Sequence, residues 1–471
     1  MGRTRASALL TLLAVVLLAA GGCAVPRAGR ATAAPTVTAG VDPGFVTGTD
    51  GGDDDRLAAA VLVDLQDYWS RTFPTLAGGA AFRPLAGVVS VDSSVPSAPP
   101  PCADETEEVE GNAYYCPRAD VIAYDRAALL PVLRQDFGDA AVVVVLAHEF
   151  GHAVQQRLLA AVPGPGAGYA SPLPTILLEG QADCYGAAFL RQVHDGTLAH
   201  LRTGAAGVDA AMGALVTFRD PVGTGGNDAT AHGNSFDRVT SFQIGYESGP
   251  GACAAMTTTN RLFTQRAFTS LADSTDGGNL PLPALLSDLH GDLDRFYGGV
   301  VADRGVAGGG RPWTAPALRE QGAACGNGDD AGGPAQGPVA FCPGDRTVRV
   351  DTGPALADVH RRVGDYASAT LVASREGLAA LDALGRPTTG PAAGRAALCL
   401  AGAYTASVGG PGTGFSLSPG DLDEAVSLLL TDPDPARGSD GALAPDEAAT
   451  AYARVGDFRR GVSAGARACL G

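Results

Sequence analysis

The chain has 471 residues, of which 45% are hydrophobic, a length and composition that predict two or three domains with real cores. Its formal net charge of −17 argues against nucleic acid as a partner, because phosphates attract basic surfaces. After the N-terminal region, no apolar segment is long enough to predict a membrane span.

Residues 1–23 have the pattern of an export signal: two arginines, a short apolar stretch and then Ala-Gly-Gly-Cys. The last four residues resemble the lipobox of bacterial lipoproteins, so we expect lipidation at Cys23 and an extracytoplasmic protein anchored to the cell membrane. The alternative is a plain signal peptide and a secreted protein. Residues 24–53 are rich in Ala, Thr, Gly and Pro, and predict a flexible tether.

Beyond the tether, apolar periodicity predicts an α+β fold that is mainly helical, with a small β element. Strands are expected within residues 82–91 and 121–124, and an exposed acidic loop over residues 102–116. Helices are expected over residues 56–73, 126–136, 173–195 and 207–219, around the motif described next, and from about residue 235 toward Cys253.

Residues 148–152 read His-Glu-Phe-Gly-His, the H-E-x-x-H pattern of zinc-dependent hydrolases. Residues four apart share one face of a helix, so His148 and His152 can bind one metal ion. Glu149 follows the first histidine and can reach a water molecule at that ion. The alternative is a chance match on a buried helix. The chain has only 7 histidines, which argues against chance.

A catalytic zinc ion has three protein ligands and one position for water, so a third ligand is expected after the motif. Residues 179–183, Glu-Gly-Gln-Ala-Asp, supply two carboxylates on one face of a predicted helix. We assign Glu179 to the metal and Asp183 to a hydrogen bond that fixes the tautomer of His148. The alternative for Glu179 alone is an ordinary surface carboxylate.

The two halves of the chain share an internal repeat. Tyr115-Cys116-Pro117 recurs as Phe341-Cys342-Pro343, and at the same offset His148 and His152 correspond to Ser374 and Leu378. We therefore expect a zinc-binding domain over residues 54–256, a connection over residues 257–280, and a degenerate, metal-free repeat over residues 281–471. The alternative is coincidence in a sequence rich in Ala and Gly.

Without Cys23, an even number of cysteines remains, which favours disulfides outside the cytoplasm. The repeat narrows the pairing, because one set of pairs stays within each half and recurs between the halves. These pairs are Cys102–Cys116, Cys184–Cys253, Cys325–Cys342 and Cys399–Cys469.

Residues 114–253 resemble the putative neutral zinc metallopeptidase family of bacteria. The matching pieces are Tyr115-Cys116-Pro117, the H-E-x-x-H motif with Val154-Gln155, Glu179-x-Gln181-Ala182-Asp183-Cys184, and His232-Gly233 ahead of Arg238. The resemblance implies a zincin-like fold and one zinc ion per chain, bound by His148, His152 and Glu179 in the style of gluzincins. Ala153 and Asp237 depart from the family pattern, in which His and Gln are common there, and these departures leave substrate contacts open.

The resulting hypothesis is an endopeptidase acting on protein or peptide substrates. Zinc lowers the pKa of a water molecule to about 7 and polarises the scissile carbonyl, and Glu149 carries the proton to the leaving amine. His232 is the main candidate for stabilising the oxyanion, with Tyr115 and Arg238 as weaker candidates. The alternative is that His232 only packs against or caps a helix.

Two rival functions stay open. The first is a non-catalytic surface lipoprotein that uses the duplicated domain as a binding scaffold. The second is a zinc-dependent amidase acting on cell-wall peptides. Glu149 argues against the first, because a structural zinc ion needs no general base and more often has four protein ligands.

Overall fold

The computed structural model describes residues 36–161, 173–305, 310–320, 322–325, 336–410, 414–445 and 450–471. The predicted signal peptide, Cys23 and the first part of the predicted tether lie outside these ranges. None of the helices in the described ranges combines the length and the apolar character that crossing a bilayer requires.

The described ranges contain 14 α-helices and two small sheets, which confirms the prediction of a mainly helical α+β fold. The first run of elements is α1 (Asp53–Leu76), β1 (Gly87–Val91), β2 (Ala113–Cys116), β3 (Val121–Asp125), α2 (Leu129–Phe137), α3 (Asp139–Ala161), α4 (Thr175–His194), α5 (Ala205–Thr217), α6 (Ser235–Ser248) and α7 (Pro250–Ala254). The second run is α8 (Leu271–Thr275), α9 (Leu282–Arg304), β4 (Ala317–Arg319), β5 (Val339–Cys342), β6 (Thr347–Val350), α10 (Pro354–Arg362), α11 (Asp365–Ala383), α12 (Pro391–Ser407), α13 (Asp421–Thr431) and α14 (Ala451–Cys469). Apart from the short helices α7 and α8, the two runs have the same order.

The two sheets have the same topology. Their strand orders are β1-β3-β2 and β4-β6-β5, with a parallel pair followed by an antiparallel pair in each. Tyr115 pairs with Ile122 in the first sheet, and Phe341 pairs with Val348 in the second. Strand β2 therefore lies at one edge of its sheet, next to the helix that carries the H-E-x-x-H motif.

Helix α3 is anchored by its apolar first half. The run from Ala141 to Val144 is fully buried, and the helix packs against α1, α2, α4 and α5. Gly151 lets α3 and α4 approach closely, because a Cβ atom there would lie 3.0 Å from Cα of Ala182. The close approach brings the motif face of α3 against the residues around Glu179 on α4.

Four disulfides tie these elements together. They are Cys102–Cys116, Cys184–Cys253, Cys325–Cys342 and Cys399–Cys469, the pairs expected from the repeat. The second links α4 to α7, and the fourth links α12 to the end of α14.

The prediction of a flexible tether is wrong for residues 36–53. Val37 forms a β-bridge with Leu201, and Thr47 forms one with Val89, so this segment is held to the domain by backbone hydrogen bonds. Val46 is buried in the core. Just beyond the predicted tether, the carboxylate of Asp55 accepts hydrogen bonds from the side chains of Ser90 and Tyr124. The acidic run at residues 53–55 is thus the first turn of a helix, where negative charge is favourable.

The predicted connection over residues 257–280 also packs on its neighbours. Thr264 and Gln265 donate their backbone N–H groups to the buried carboxylate of Asp237 on α6, and this stretch contains α8. Residues Ala34–Gly471 form one compact unit with a continuous hydrophobic cluster. The domain boundary at this connection therefore stays a prediction.

Candidate active site

Helices α3 and α4 bring two imidazoles and one carboxylate to the same point. Nε2 of His148 lies 3.2 Å from Oε2 of Glu179, and Nε2 of His152 lies 3.5 Å from Oε1 of Glu179. One ligand atom from each of the three residues lies within 4.8 Å of the other two. The residues predicted to bind a metal ion are therefore adjacent in space.

The tautomer of His148 is fixed by a buried ion pair behind it. Nδ1 of His148 lies 2.7 Å from Oδ1 of Asp183, and both oxygens of Asp183 also accept hydrogen bonds from Arg238. An ionised carboxylate can only accept, so Nδ1 carries a proton and Nε2 is the nitrogen that faces Glu179. Asp183 lies where the sequence predicted it, while its ion pair with Arg238 was missed.

Gln155, to which the motif alone assigns no role, orients His152. Oε1 of Gln155 lies 2.9 Å from Nδ1 of His152. Its amide nitrogen donates to the carbonyl of Leu178 and to Oε1 of Gln181, so Oε1 of Gln155 is the acceptor for Nδ1–H. The lone pair of Nε2 is therefore also free for a metal ion. Helical spacing is the signal that could have found this contact, because Gln155 follows His152 by three residues.

Glu149 is held beside the cluster by strand β2. Its Oε2 atom accepts a hydrogen bond of 2.9 Å from the backbone N–H of Tyr115, and its Oε1 atom lies 4.0 Å from Nε2 of His148. The carboxylate is therefore fixed next to the predicted metal ligands without competing for either imidazole.

The cluster lies in a cleft of about 470 Å³, bordered by β2 on one side and by α5 and the loop before α6 on the other. His232, in that loop, lines the cleft together with Glu149, and its side chain is 50% exposed. Asp220 holds this loop in place, because its carboxylate accepts from the backbone N–H groups of His232 and Gly233 and lies 3.2 Å from Nδ1 of His232. Asp220 was not predicted from the sequence.

The donor set fits a zinc ion. Zinc is commonly bound by histidine nitrogen and carboxylate oxygen, and a catalytic zinc site has three protein ligands. The buried carboxylate of Glu179 lies 3.2 Å from Nε2 of His148 and 3.5 Å from Nε2 of His152, so a strong acceptor faces two nitrogens that can each bind a proton or a metal ion. A cation is the group that would satisfy all three acceptors at once.

A family profile described as "Putative neutral zinc metallopeptidase" matches residues 34–256. Those residues form a domain of this family. The resemblance inferred from the motifs is confirmed, and the matched segment includes every residue of the cleft described above. Comparison with curated proteins and with solved structures gave no significant match.

Charges within the metallopeptidase domain shift the pKa values of the site in opposite directions. Burial alone would lower the pKa of His148, but Asp183 and Glu179 outweigh it and raise the value to about 10. Burial raises the pKa of Glu149, and the charges of the two nearby imidazoles oppose this rise only in part. Burial would also raise the pKa of Asp183, yet the Arg238 guanidinium holds it below its usual range. The site thus attracts positive charge: the extra proton that His148 binds here occupies the place of a metal cation, and a bound cation would displace it.

Two weaker candidates for oxyanion stabilisation are engaged elsewhere. The hydroxyl of Tyr115 donates to Asp120, and Arg238 is engaged by Asp183 and by the carbonyl of Phe218. Of the two departures from the family pattern, Ala153 is buried in α3 and Asp237 anchors Thr264 and Gln265. Both departures have packing roles in the metallopeptidase domain.

Proposed function

We propose that the metallopeptidase domain is an endopeptidase that hydrolyses peptide bonds in protein or peptide substrates, with one zinc ion per chain. The observation that carries the proposal is the position of Glu149. Its carboxylate is fixed beside two imidazoles and Glu179, at the floor of a cleft. A purely structural metal site would have no use for a further carboxylate at that point.

In this proposal, His148, His152 and Glu179 would hold the zinc ion, which supplies a Lewis acid and activates water for attack on the scissile carbonyl. Glu149 accepts the proton of the attacking water and delivers it to the leaving amine. Asp183 and Gln155 keep the two imidazoles in the orientation that the metal needs, through the hydrogen bonds described above.

Strand β2 supports extended peptides as the substrate class. Residues 112–115 line the cleft along the edge of the first sheet. An edge strand offers backbone groups to an extended peptide, and this pairing binds a chain without depending on its termini. A peptide held along β2 has bonds on both sides of the cut, which favours an endopeptidase over an exopeptidase.

His232 is the residue proposed to stabilise the oxyanion, held in the cleft wall by Asp220. Loss of one oxyanion donor typically lowers kcat by 10²- to 10³-fold. His232→Gln should therefore lower kcat by about 100-fold with a small change in KM. An increase in KM at constant kcat would instead assign His232 to substrate binding.

The first experiment is to measure the zinc content of the purified protein and of a His148→Ala variant, with a peptide-library cleavage assay on both. One zinc ion per chain, lost with His148 together with cleavage, is the expected result. Zinc without cleavage would favour a binding role. Absence of zinc from the wild-type protein would overturn the site.

We also propose that the chain is exported and anchored to the membrane by a lipid on Cys23. The N-terminal pattern supports this, and so do the four disulfides, since disulfides persist in oxidising compartments. Labelling cells with a fatty-acid analogue should mark the wild-type protein and leave Cys23→Ser unmarked. Equal labelling of both would contradict the anchor.

We further propose that residues 281–471 are a duplicate of the domain that lacks the zinc ligands. The shared order of elements, the two sheets of equal topology and the two equivalent pairs of disulfides support duplication. At the positions of the two zinc histidines, this copy has Ser374 and Leu378. Its role would be structural or in binding.

A further inference from the structure

The loop that carries His232 is closed at its neck by hydrogen bonds to and from Asp220. The backbone N–H of Asp220 donates to the carbonyl of Gly233 at 3.1 Å, and its carboxylate accepts from the N–H groups of His232 and Gly233. The side chain of Gln265 also donates to this carboxylate, at 2.7 Å. Apart from the bond from Gln265, these bonds lie within the loop, so the position of the loop also depends on contacts with other elements.

The first helical N–H group after this loop bonds to a residue from the other run of elements. Ser235 begins α6, and the first N–H groups of a helix have no acceptor within that helix. The side chain of Asn234 serves as the acceptor for the N–H of Asp237. Asp423, in the first turn of α13, accepts from the N–H of Ser235 at 2.5 Å. Asp423 is buried, so its negative charge acts at close range on the positive end of α6.

Two further contacts place α13 and the turn before it against the loop. Gly420, which precedes α13 with a φ of +104°, lies against Val222, because a Cβ atom there would be 3.0 Å from Cγ1 of Val222. Nε of Arg219 lies 3.9 Å from Oδ2 of Asp423. Asp423 therefore lies at both ends of the loop, near Arg219 at its start and bonded to Ser235 at its end.

The same kind of bond recurs in the opposite direction between the two runs. Asp209 on α5 accepts from the backbone N–H groups of Ala451 and Tyr452 at 2.8 and 2.7 Å, and Ala451 begins α14. Helices α5 and α13 have the same place in the order of the two runs, and so do α6 and α14. Each run thus supplies a carboxylate to the start of a helix in the other run. A reciprocal contact of this kind is typical of two copies related by a twofold axis.

We propose that Asp423 is a positioning residue for His232, supplied to the cleft by the run that lacks the zinc histidines. The carboxylate of Asp423 holds the N–H of Ser235, and Ser235 follows His232 by three residues. The side chain of His232 is 50% exposed, so packing does little to hold it and its position depends on the backbone. The proposal gives residues 281–471 a part in catalysis and, in that respect, rests on the proposed function.

The expected effect on catalysis follows from the geometry that an oxyanion donor needs. Such a donor must lie about 2.7–3.1 Å from the developing charge, and a displacement of about 1 Å can cost on the order of 100-fold in rate. Without Asp423, the N–H of Ser235 loses its acceptor and the start of α6 is less firmly held against α13. Asp423→Ala should therefore lower kcat by about tenfold, with less than about a threefold change in KM. Zinc content should be unchanged, because the proposed zinc ligands lie on α3 and α4.

A double-mutant cycle separates positioning of His232 from a general loss of structure. Both kcat and KM are measured with one peptide substrate for the full-length wild type, Asp423→Ala, His232→Gln and the variant with both changes. Asp423→Ala should lower kcat by less than about twofold once His232 is replaced, because the two residues act as a unit. Asp423→Asn keeps an acceptor for the N–H of Ser235 and should retain kcat within about threefold of the wild type. An equal loss of kcat from Asp423→Ala in both backgrounds would overturn the proposal.

Hydrogen exchange tests the same contact without any need for activity. Mass spectrometry of peptides that cover residues 219–238 should show faster exchange in Asp423→Ala than in the wild type. The matched control is Asp209→Ala, which removes the reciprocal contact. It should raise exchange at the start of α14 and leave residues 219–238 unchanged. Far-UV circular dichroism checks that each variant is folded, and Asp423→Ser is the second variant if Asp423→Ala is unstable.

The exchange data and the kinetic data fail in different ways. Unchanged exchange of residues 219–238 in Asp423→Ala, or an equal increase in Asp209→Ala, would overturn the role of Asp423 even if the wild type is an active peptidase. If the wild type cleaves no peptide, the proposed function fails, and the exchange of residues 219–238 alone decides whether Asp423 holds the loop.

Discussion

Two helices at the same place in the order of the two runs differ in what they bury. Helix α3 presents His148, Glu149 and His152 to a cleft, whereas the residues 226 positions later, on α11, are Ser374, Arg375 and Leu378, all fully buried. Ser374 donates to the carbonyl of Leu371 in its own helix. The guanidinium of Arg375 donates to the carbonyls of Gln336, Val339, Asp434 and Arg437.

The same arrangement of helices can therefore bury polar groups either with or without a site for a metal ion. On α11, backbone carbonyls satisfy the buried arginine, and burial lowers its pKa to about 10. Between α3 and α4, two imidazoles and the carboxylate of Glu179 converge on one point. Unlike the surroundings of Arg375, this arrangement favours a cation.

The residues that set the packing are similar in both runs. Gly151 and Gly377 allow close contact with Ala182 and Ala397, and Gly245 and Gly461 lie against the carbonyls of Cys184 and Cys399. Asp120 and Arg346 both adopt a φ of 55° ahead of β3 and β6, the central strands of the two sheets. The packing contacts are thus alike, and the difference is concentrated in the side chains of the site.

The first prediction compares the two helices by neutralising one glutamate on each. Glu149→Gln should lower kcat by on the order of 10³-fold, because the proton acceptor is lost, while zinc content is unchanged. Glu376→Gln on α11 should leave kcat unchanged. Steady-state kinetics and metal analysis check both. Substantial residual activity in Glu149→Gln would refute its assigned role.

The second prediction concerns the ion pair behind His148. Arg238→Met leaves Asp183 buried without its partner and should lower the free energy of unfolding by about 3 kcal/mol. Zinc affinity should fall by about 10- to 100-fold, since His148 loses its fixed support. Adding Asp183→Leu should restore much of the stability, because no buried charge is left, but not the zinc affinity. Recovery of both in the double variant would mean that the ion pair does not support the metal site.

The sequence predicted the helical part of the site well because its signals are local. His148 and His152 lie one helical turn apart, and Glu179 and Asp183 repeat that spacing, so each pair had to share a face. The contact between α3 and α4 could be inferred because a catalytic zinc ion needs a third protein ligand in addition to the two histidines. The disulfide pairs were predictable because the repeat removed most of the possible pairings.

The contacts that the sequence missed join segments that are distant along the chain. Nothing local indicates that Asp220 would hold His232, or that Asp423 would meet Ser235. The tether was mispredicted because β-bridges from Val37 and Thr47 depend on partners that lie far away in the sequence. Composition indicates flexibility only when no such partner exists.

The third prediction tests whether the two runs share their packing. A Cβ atom at Gly245 or Gly461 would overlap the carbonyl oxygen of Cys184 or Cys399. Gly245→Ala and Gly461→Ala should each lower the free energy of unfolding by about 1–3 kcal/mol, because the helices are forced apart. Only Gly245→Ala should also weaken zinc binding, since α6 carries Arg238. Denaturant unfolding and zinc titration check this, and an equal loss of zinc affinity in both variants would contradict the separation of the runs.

The last prediction is a pH dependence that arises from α11. Glu376 is fully buried there, and burial raises its pKa to about 7. The hydrogen bond and the charge of His290 oppose this rise in part, and the charge of Asp294 adds to it. Because the folded protein holds this proton more tightly than the unfolded chain, stability is greatest below the ordinary glutamate pKa. It should fall as the pH rises to about 7.

Glu376→Gln cannot ionise, so its stability should lack this decline, and the variant should lose less stability than the wild type between pH 5 and pH 8. Denaturant unfolding at pH 5 and pH 8 measures the difference for both proteins. If the two proteins lose the same stability over that range, Glu376 is not the group responsible. If the variant loses less, then α11 carries a buried glutamate whose charge destabilises the fold, whereas on α3 the charge of Glu149 lies next to a proposed metal ion.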